Sequence, residues 1–408
     1  MGLAHVLYVS YDGLLEPLGE SQVVNYAIGL ARRASITVLS YEKPHDLADG
    51  AAVGDLRARL AAAGVEWRPL TYHKWPSLPA TAWDIVRGIA VALRVARRRR
   101  TAIVHARGYV ASVVAVAVQR WSRAKFLFDM RGFWADEKVE GGQWSRHSFP
   151  YRLTKRCERA FFERADAIVS LTDAGVKLFP SLGYRLAPAA PVEVIPTCAD
   201  LEAFAPGARD ESLVARYGLA DRLVLGYVGT LSNWYLRTET LRYLALLTRT
   251  LPRARVLFVT REDHEALRRD AEAAGIPADA IVMTAARFRD MPAHVRLMDL
   301  GVFFIKPCFS KTGSAATKLA ELLATGVPVV INDGIGDSGR IVREHDVGVV
   351  LPTAAPDACE ASLPDVRALL ADASVPGRCV ATARRVFSLE EGVARYASLY
   401  ARLSGAER

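Results

Sequence analysis

The stretch SKTGSAATKLAELLATGVPVVINDGIGDSG, residues 310–339, holds the pattern that decides the fold. Its apolar residues Leu319, Leu322 and Leu323 fall at i, i+3 and i+4, which predicts the buried face of a helix. A solvated polar face is the ordinary counterpart of such a stripe. The polar side chains at i, i+3 and i+7 define that opposite stripe of the same predicted helix: Ser314, Thr317 and Glu321.

The segments on either side of this helix raise a second interpretation of the polar stripe. An apolar run VFFIKP (302–307) precedes the helix and VPVVIN (327–332) follows it, each long enough for a buried strand. A strand, loop, helix and strand in this order predict a βαβ unit. The loop that enters the helix then lies at the carboxyl edge of a parallel sheet, where open α/β sheets bind ligands.

The same alternation of short apolar runs and helical patterns extends along the whole chain and predicts a doubly wound α/β fold. The loop-rich segment 197–210 separates two such series. We therefore predict two Rossmann-like domains facing across a cleft. Their expected bounds are 1–200 for the first, 201–386 for the second, and 387–408 for a C-terminal helix that crosses back to the first.

Length and composition limit the class of protein. A chain of 408 residues is longer than a single hydrophobic core usually supports. A composition of 51% hydrophobic and 24% charged residues is typical of globular domains. The longest apolar run, near residues 110–118, is too short to cross a bilayer, and MGLAHVLYVS reads as a strand rather than a signal peptide. The five scattered cysteines favour reduced thiols. These features predict a cytoplasmic protein.

Positive charge is concentrated in the first half of the chain. Residues 1–200 carry 27 Lys and Arg against 19 Asp and Glu, whereas residues 201–408 carry 26 against 25. Nucleic acid, an anionic membrane surface and a phosphate-bearing ligand all remain open as partners. A predicted helix at 81–100 closes on Arg97–Arg100, either as a core-packed helix with dipole-complementing arginines or as a peripheral membrane contact.

Candidate functional residues of the first half follow predicted strands. No GxGxxG dinucleotide fingerprint is present after the first strand. A strand histidine is most often a satisfied core residue, and an arginine with an aspartate beside aromatic residues is most often an ordinary ion pair. Their shared position at strand ends raises them to candidates for an acceptor site: Ser21, Gln22, His105, Arg107, Arg131, Phe133, Trp134 and Asp136.

The second half predicts an anion site at the start of the helix in 310–339. A helix N-terminus presents unpaired amides and partial positive charge, here near Ala315, Ala316 and Thr317. Three lysines surround it, although each alone has an ordinary solvated interpretation: Lys306, Lys311 and Lys318. Together they predict a nucleotide-diphosphate pocket whose wall is the polar stripe.

Five segments in this order resemble the retaining family 4 glycosyltransferases with a GT-B fold: DGLLEPLGESQV, HARGY, FDMRGFWADE, GYVGTLSNWY and SKTGSAATKLAELLATGVPVVINDGIGD. The resemblance covers essentially the whole chain. It implies a nucleotide-sugar donor bound mainly by the C-terminal domain, an acceptor bound mainly by the N-terminal domain, and neither metal nor cofactor. No Asp-x-Asp pair occurs in the sequence, which agrees with the expected lack of a metal.

One departure concerns the two glutamates that many members of the family have seven residues apart. Glu321 matches the second and by analogy binds the ribose, but Gly313 stands at the position of the first. The Arg and Lys usual after the first strand of the C-terminal domain are also missing. The expected catalytic residues are His105, Arg131 and Lys311. Acceptor contacts are expected from Ser21, Gln22, Arg107, Trp134 and Asp136. Donor contacts are expected from Gly19, Gly229, Thr230, Lys306, Ser314, Ala316, Thr317, Lys318 and Glu321.

The resemblance implies sugar transfer from a nucleoside-diphosphate donor to a glycan or lipid-linked acceptor in cell-surface polysaccharide or glycolipid synthesis. The expected partners are the donor, the acceptor and an anionic membrane surface, with no nucleic acid. Two alternatives stay open. One is a nucleotide-sugar epimerase or hydrolase on the same fold, and the other is a non-enzymatic nucleotide- or nucleic-acid-binding regulator.

Overall fold

The computed structural model describes residues 3–405, and this part of the chain forms two compact units. One comprises residues 3–196 together with 389–405, and the other comprises residues 197–388. The described chain thus divides after residue 196 and again after residue 388.

The first unit is built on a parallel sheet in which the described strands follow the order β3-β2-β1-β4-β5-β6-β7. Runs of Val, Ile, Leu and Phe fill the central strands and bury them on both faces, as helices on both sides of a parallel sheet require. The strands are β1 (His5–Ser10), β2 (Ser35–Glu42), β3 (Glu66–Thr71), β4 (Ile103–Arg107), β5 (Lys125–Asp129), β6 (Ala167–Ser170) and β7 (Val192–Val194).

The helices of this unit connect successive strands. A π-helical turn (Glu20–Val24) and a 3-10 turn (Phe179–Leu182) add to them. The α-helices are α1 (Pro17–Gly19), α2 (Asn25–Leu30), α3 (Pro44–Ala48), α4 (Gly50–Ala62), α5 (Ser77–Arg99), α6 (Gly108–Trp121), α7 (Trp134–Glu140), α8 (Phe149–Arg164) and α9 (Asp173–Val176).

The second unit repeats the architecture with strand order β10-β9-β8-β11-β12-β13. Its strands are β8 (Leu223–Val228), β9 (Ala254–Val259), β10 (Ile281–Thr284), β11 (Leu300–Phe303), β12 (Val329–Asn332) and β13 (Gly348–Leu351). Its helices are α10 (Glu211–Tyr217), α11 (Arg237–Thr250), α12 (His264–Ala273), α13 (Met291–Val295), α14 (Thr317–Ala324), α15 (Ser338–Glu344), α16 (Pro356–Ala361), α17 (Leu363–Ala371) and α18 (Val375–Val386), with 3-10 turns at Ala278–Ala280, Phe288–Asp290 and Phe309–Gly313.

The last helix, α19 (Leu389–Ser404), belongs to the first unit, where it packs on α2 and β4. Its buried face carries Tyr396 and Tyr400. This helix is therefore part of the same compact unit as the N-terminal residues.

The stretch that decides the fold has the predicted order of strand, helix and strand, since β11, α14 and β12 follow one another and the two strands are parallel. Leu319, Leu322 and Leu323 are buried as expected. The prediction for Ser314 was wrong, because α14 begins only at Thr317 and Ser314 has extended backbone. The predicted polar stripe therefore loses its first member.

In each sheet the order in which successive strands are added reverses once. The reversal lies between β1 and β4 in the first unit and between β8 and β11 in the second. At such a switch point the two neighbouring loops leave the carboxyl edge in opposite directions and open a crevice for ligands. The fold thus directs attention in the second unit to the loops that follow β8 and β11.

Candidate functional site

The loops after β8 and β11 are fastened to each other by backbone contacts. Tyr235 and Ile305 form an antiparallel bridge, and the Lys306 amide donates to the Trp234 carbonyl at 2.8 Å. A third bond runs from the Leu236 amide to the Phe304 carbonyl at 2.9 Å. These bonds fix the switch point of the second sheet as one rigid surface.

Glu262, which follows β9, holds the β8 loop in place. One carboxylate oxygen accepts from the amides of Leu231 and Ser232, both at 3.0 Å, and the other accepts from Arg237 at 2.8 Å. Sequence reasoning missed this residue. Its position just beyond a buried strand was the signal that could have found it.

Lys318, in the first turn of α14, places a cation in an apolar recess at this edge. Its Nζ is buried and has no hydrogen-bond partner among residues 3–405. Three aromatic rings surround it instead, with centroids at 3.8 Å for Tyr235, 4.3 Å for Tyr227 and 5.4 Å for Phe303. Ring faces attract a cation but do not replace the hydrogen bonds it has in water. Burial accordingly lowers the pKa of Lys318 to about 7.

Gly229 brings the backbone of the β8 loop close to this ammonium group. Its φ is +90°, and a Cβ at this position would lie 3.7 Å from the Lys318 Nζ. Because side-chain-bearing residues rarely adopt this φ, only glycine makes the turn without strain. The next carbonyl, of Thr230, accepts from the Tyr227 hydroxyl at 2.6 Å and so orients a ring that faces Lys318.

Glu321 lies one turn beyond Lys318 on α14 and is also buried. Burial raises the pKa of this carboxyl to about 8, against the opposing effect of the Lys318 charge. Burial and the Glu321 charge also raise the pKa of Tyr235 to about 12. Lys318 and Glu321 therefore both titrate near neutral pH. An anion or hydroxyl group bound beside them would change their protonation and hence their charge.

The N-terminus of α14 adds backbone donors to the same place. Its N-cap residue, Ala316, makes no side-chain capping bond, and Thr317 is the first helical residue. Amides in the first turn of a helix have no intrahelical acceptor, so they are available to an anion. Ser314 directs its hydroxyl to the Ser310 carbonyl at 3.4 Å.

The other two lysines have different surroundings. Lys311 is largely buried, and its Nζ lies 4.0 Å from the centroid of Trp234. Lys306 is exposed. Gly313, at the position of the family's first glutamate, is buried at the end of a 3-10 turn. The structure thus brings Lys318, Glu321 and Gly229 together and places Lys311 on a neighbouring aromatic ring.

In the first unit the prediction of a catalytic role for His105 is corrected. This residue lies within β4, and its side chain has no exposed surface. Nδ1 is 2.7 Å from the Tyr400 hydroxyl and Nε2 is 3.4 Å from Asp129, while the ring stacks on Tyr8. Burial lowers the pKa of His105 despite the nearby Asp129. A neutral, enclosed ring with both nitrogens engaged is a core residue.

Arg107 and Arg131 share the buried carboxylate of Asp129 at the carboxyl edge of the first sheet. Arg131 lies 3.4 Å from one carboxylate oxygen and Arg107 lies 3.8 Å from the other. Burial opposes ionisation of Asp129, but Arg131, His105 and Arg107 together outweigh it, and the pKa of Asp129 falls well below its usual range. Arg107 is 4% exposed and also contacts Asp12, whereas Arg131 is 16% exposed.

The loop after β5 places its aromatic and acidic residues differently from expectation. Phe133 is fully buried, so it cannot stack on a sugar. Asp136 is buried as well, with one oxygen accepting from Tyr151 at 2.9 Å and the other from Lys155 at 3.0 Å. Both of its oxygens are occupied within the fold, which corrects its expected acceptor role. Trp134 is only half-buried, and its ring contacts Tyr109, Trp144 and the Lys138 ammonium group.

The loop after β1 is shaped by its own packing. A Cβ on Gly19 would lie 1.8 Å from the Gly13 carbonyl oxygen, so this glycine permits a close backbone crossing. Glu42, another residue that sequence reasoning missed, accepts from the Leu14 amide at 2.9 Å. The remaining two candidates of this loop are buried: Ser21 and Gln22.

Two findings concern the described part of the chain as a whole. Among residues 3–405, no three His, Cys, Asp or Glu side chains cluster as a metal site would require. None of the helices in this range is both long and apolar enough to cross a bilayer.

Comparison with protein families covers the first half of the chain, where residues 19–198 match the family described as glycosyl transferase 4-like domain. No curated protein sequence matches the chain significantly. The resemblance indicated by the five motifs is confirmed by this match.

Solved structures of similar fold extend over nearly the whole chain. Sucrose-phosphate synthase from Thermosynechococcus elongatus has a TM-score of 0.73 at 14% identity, covering 99% of this chain and 100% of that one. Anabaena HepE in complex with UDP and glucose has a TM-score of 0.70 at 16% identity, covering 97% and 98%. A putative UDP-N-acetylglucosamine 2-epimerase from Listeria monocytogenes has a TM-score of 0.65 at 14% identity, covering 100% and 97%.

The two parallel-sheet units and these neighbours define the GT-B fold. Residues 19–198 match the glycosyl transferase 4-like domain, so this part of the chain is similar to that family.

Proposed function

We propose that the protein transfers a sugar from a nucleoside-diphosphate donor to a glycan or lipid-linked acceptor, with retention of anomeric configuration and without a metal ion. Cell-surface polysaccharide or glycolipid synthesis is the process we propose for it. The observation that carries the proposal is the buried Lys318 ammonium, which lacks a hydrogen-bond partner and lies beside Gly229 and the first turn of α14.

A diphosphate is the ligand that best complements the Lys318 ammonium group and the first turn of α14. Burying a cation without a hydrogen-bonding partner costs free energy, so a fold retains one where a ligand restores the missing interaction. Phosphate oxygens accept strongly from an ammonium group and from helix N-terminal amides, both of which Lys318 and the start of α14 supply. That HepE was solved with UDP on the same fold supports a uridine nucleotide as the first donor to test.

Glu321 is proposed to bind the ribose of the donor. Its carboxyl lies one helical turn from Lys318, and its charge contributes to the raised pKa of the Tyr235 phenol. A buried carboxyl of raised pKa exchanges hydrogen bonds with a diol whether it is ionised or protonated, because it accepts in both states. Lys306, Lys311, Ser314, Thr317 and Thr230 complete the proposed donor surface.

The proposed reaction follows from where charge develops. The bond between the anomeric carbon and the diphosphate oxygen breaks, and a bond from the acceptor oxygen to the same carbon forms on the same face of the sugar. The acceptor's hydroxyl proton passes to the departing diphosphate. Lys318 and the amides at the start of α14 stabilise the negative charge on that leaving group.

On the acceptor side we propose Arg131, Arg107 and Trp134, because each combines a position at the carboxyl edge with a useful chemistry. Arg131 keeps part of its side chain exposed, and Trp134 is a half-buried aromatic residue of the kind that packs on sugar rings. The exposed Arg97–Arg100 run is proposed to add peripheral attachment to the inner face of the cytoplasmic membrane.

A two-stage experiment tests the proposed function. A panel of nucleoside diphosphates is screened for thermal stabilisation, where a ligand at 100 times its Kd adds about 2.7 kcal/mol. The stabilising nucleotide is then supplied as its sugar conjugate, with and without EDTA and a lipid-linked acceptor, and the product is examined by NMR. An α-configured product from an α-configured donor, unaffected by EDTA, is expected. Epimerisation or hydrolysis of the donor without an acceptor would favour the alternative enzymes on this fold.

A further inference from the structure

The exposed side of α5 carries an unusual apolar surface, which we call the α5 stripe: Trp75, Leu78, Ala82, Trp83, Val86 and Ala90. Trp75 just precedes the helix and is 85% exposed, and Trp83 is 56% exposed. Leu78 and Val86 are each more than half exposed as well. Single exposed apolar residues are common, but several large ones grouped on one helix mark an interaction surface.

The residues of the stripe recur along one side of the helix. Leu78, Ala82, Val86 and Ala90 follow at intervals of four, and Arg94 continues the series. The inward side of α5 is buried and consists largely of small residues. The helix is therefore already fully packed on its inner side, and the apolar stripe is a second, outward face.

Charge on the segment around the stripe has one sign. Residues 71–100 contain Lys74, Arg87, Arg94 and the run Arg97–Arg100, with Asp84 as the single acid. Asp84 is fully buried, where it accepts from Tyr11 at 3.1 Å and from the His73 amide at 3.0 Å. The segment therefore presents basic and apolar side chains outward and no carboxylate.

The basic end of α5 is largely free of compensating acids. Arg99 donates to Glu66 at 2.8 Å. Within residues 3–405, no carboxylate forms an ion pair with Arg94, Arg97, Arg98 or Arg100. Their charge remains available to an anionic partner.

We propose that the α5 stripe lies on the surface of an anionic lipid bilayer, with Trp75 and Trp83 at headgroup level and the arginines against acidic headgroups. Tryptophan concentrates at membrane interfaces, and a helix with one apolar and basic face lies in the plane of the interface. The proposal deepens the peripheral attachment proposed above and rests on it. It assigns the principal contact to the tryptophans, with the arginines steering the approach.

A second copy of the chain is a poorer occupant for this surface. In a twofold-symmetric contact the same patch faces itself, so the stripe would bring two sets of basic residues together. The segment offers no exposed carboxylate to offset that repulsion. A bilayer containing acidic lipid satisfies both the apolar and the basic parts of the surface.

The test measures binding of the full chain to vesicles of phosphatidylcholine with or without phosphatidylglycerol. Wild type is expected to sediment with the acidic vesicles at low salt. In Trp75→Ser/Trp83→Ser the bound fraction is expected to fall about tenfold, because two interfacial anchors are lost. Trp121→Ser is the matched control, since Trp121 is 58% exposed but lies on α6 outside the stripe, and it should bind like wild type.

A second measurement separates insertion from attraction by charge. Brominated phosphatidylcholine in the acidic vesicles should quench wild-type tryptophan fluorescence, and Trp75→Phe/Trp83→Phe should keep binding while losing most of this quenching. Absence of quenching in wild type, equal binding of the serine double variant, or equal loss in Trp121→Ser would each overturn the proposal. So would dimerisation abolished by the serine double variant. UDP affinity measured without lipid reports separately on the proposed function.

Discussion

The carboxyl edges of both sheets contain buried charged groups. Those of the first unit are paired with groups of opposite charge, whereas that of the second has no hydrogen-bond partner in the described chain. In the first unit, Asp129 is enclosed between Arg107 and Arg131, and His105 is satisfied on both nitrogens. In the second, Lys318 is surrounded by aromatic rings and has no hydrogen-bond partner in the described chain. The buried charge of Asp129 is therefore balanced within the fold that contains it. An unpaired buried charge is explained by a ligand.

The largest expected effect comes from breaking the paired cluster. In Asp129→Asn the Arg107 and Arg131 guanidiniums lose their buried counter-charge, and the free energy of unfolding should fall by about 3 to 5 kcal/mol. Urea unfolding of the full chain measures it. Glu193→Gln is the control, because Glu193 pairs with Arg402 at an exposed site and should cost under about 1 kcal/mol. Equal small losses would show that the cluster does not stabilise the first unit.

Loss of Glu321 should have the next largest effect, and on binding rather than folding. Glu321→Ala is expected to weaken UDP binding by about 1 to 3 kcal/mol, the range for removing one partner of a buried hydrogen bond. Isothermal titration calorimetry measures the affinity. Glu344→Ala, on an exposed helix of the same unit, should leave it unchanged. Wild-type affinity in the Glu321 variant would remove this residue from the site.

A smaller effect of opposite sign is expected from Lys318 on stability. Because burial lowers the folded pKa to about 7, below that of an unfolded lysine, the folded state carries the full penalty below pH 7 and loses it as pH rises toward 10.5. Lys318→Met should therefore raise the free energy of unfolding by at least about 1 kcal/mol at pH 6, and by less at pH 9. The exposed Lys306→Met should bring no such gain. A destabilised Lys318→Met protein would mean that the ammonium supports the fold.

The fold was largely predictable because the alternation of apolar runs and helical patterns is local. The strand, helix and strand of residues 302–332 were predicted from spacing alone. Lys318 and Glu321 were found for the same reason, since a helix start after a buried strand lies at a sheet edge.

The failures came from contacts between residues distant in sequence. His105 is enclosed by Tyr8 and by Tyr400, which lies 295 positions further along the chain. No local sequence pattern predicts a partner that is so distant in the chain. The aromatic recess of Lys318 was equally invisible, because Tyr227 and Phe303 belong to strands and read as ordinary core residues.

Comparing the binding of a nucleoside diphosphate with that of its nucleoside tests most directly whether Lys318 binds the diphosphate. Calorimetric titration of UDP and of uridine into wild type and Lys318→Met at pH 6 separates the charge of the diphosphate from the rest of the ligand. The variant should lose about 1.5 to 3 kcal/mol of UDP affinity and none of its uridine affinity. Relative to the variant, wild-type UDP affinity should also weaken as pH rises through about 7, where Lys318 gives up its proton. Equal losses for both ligands, or unchanged UDP affinity, would contradict the assignment of Lys318 to the diphosphate.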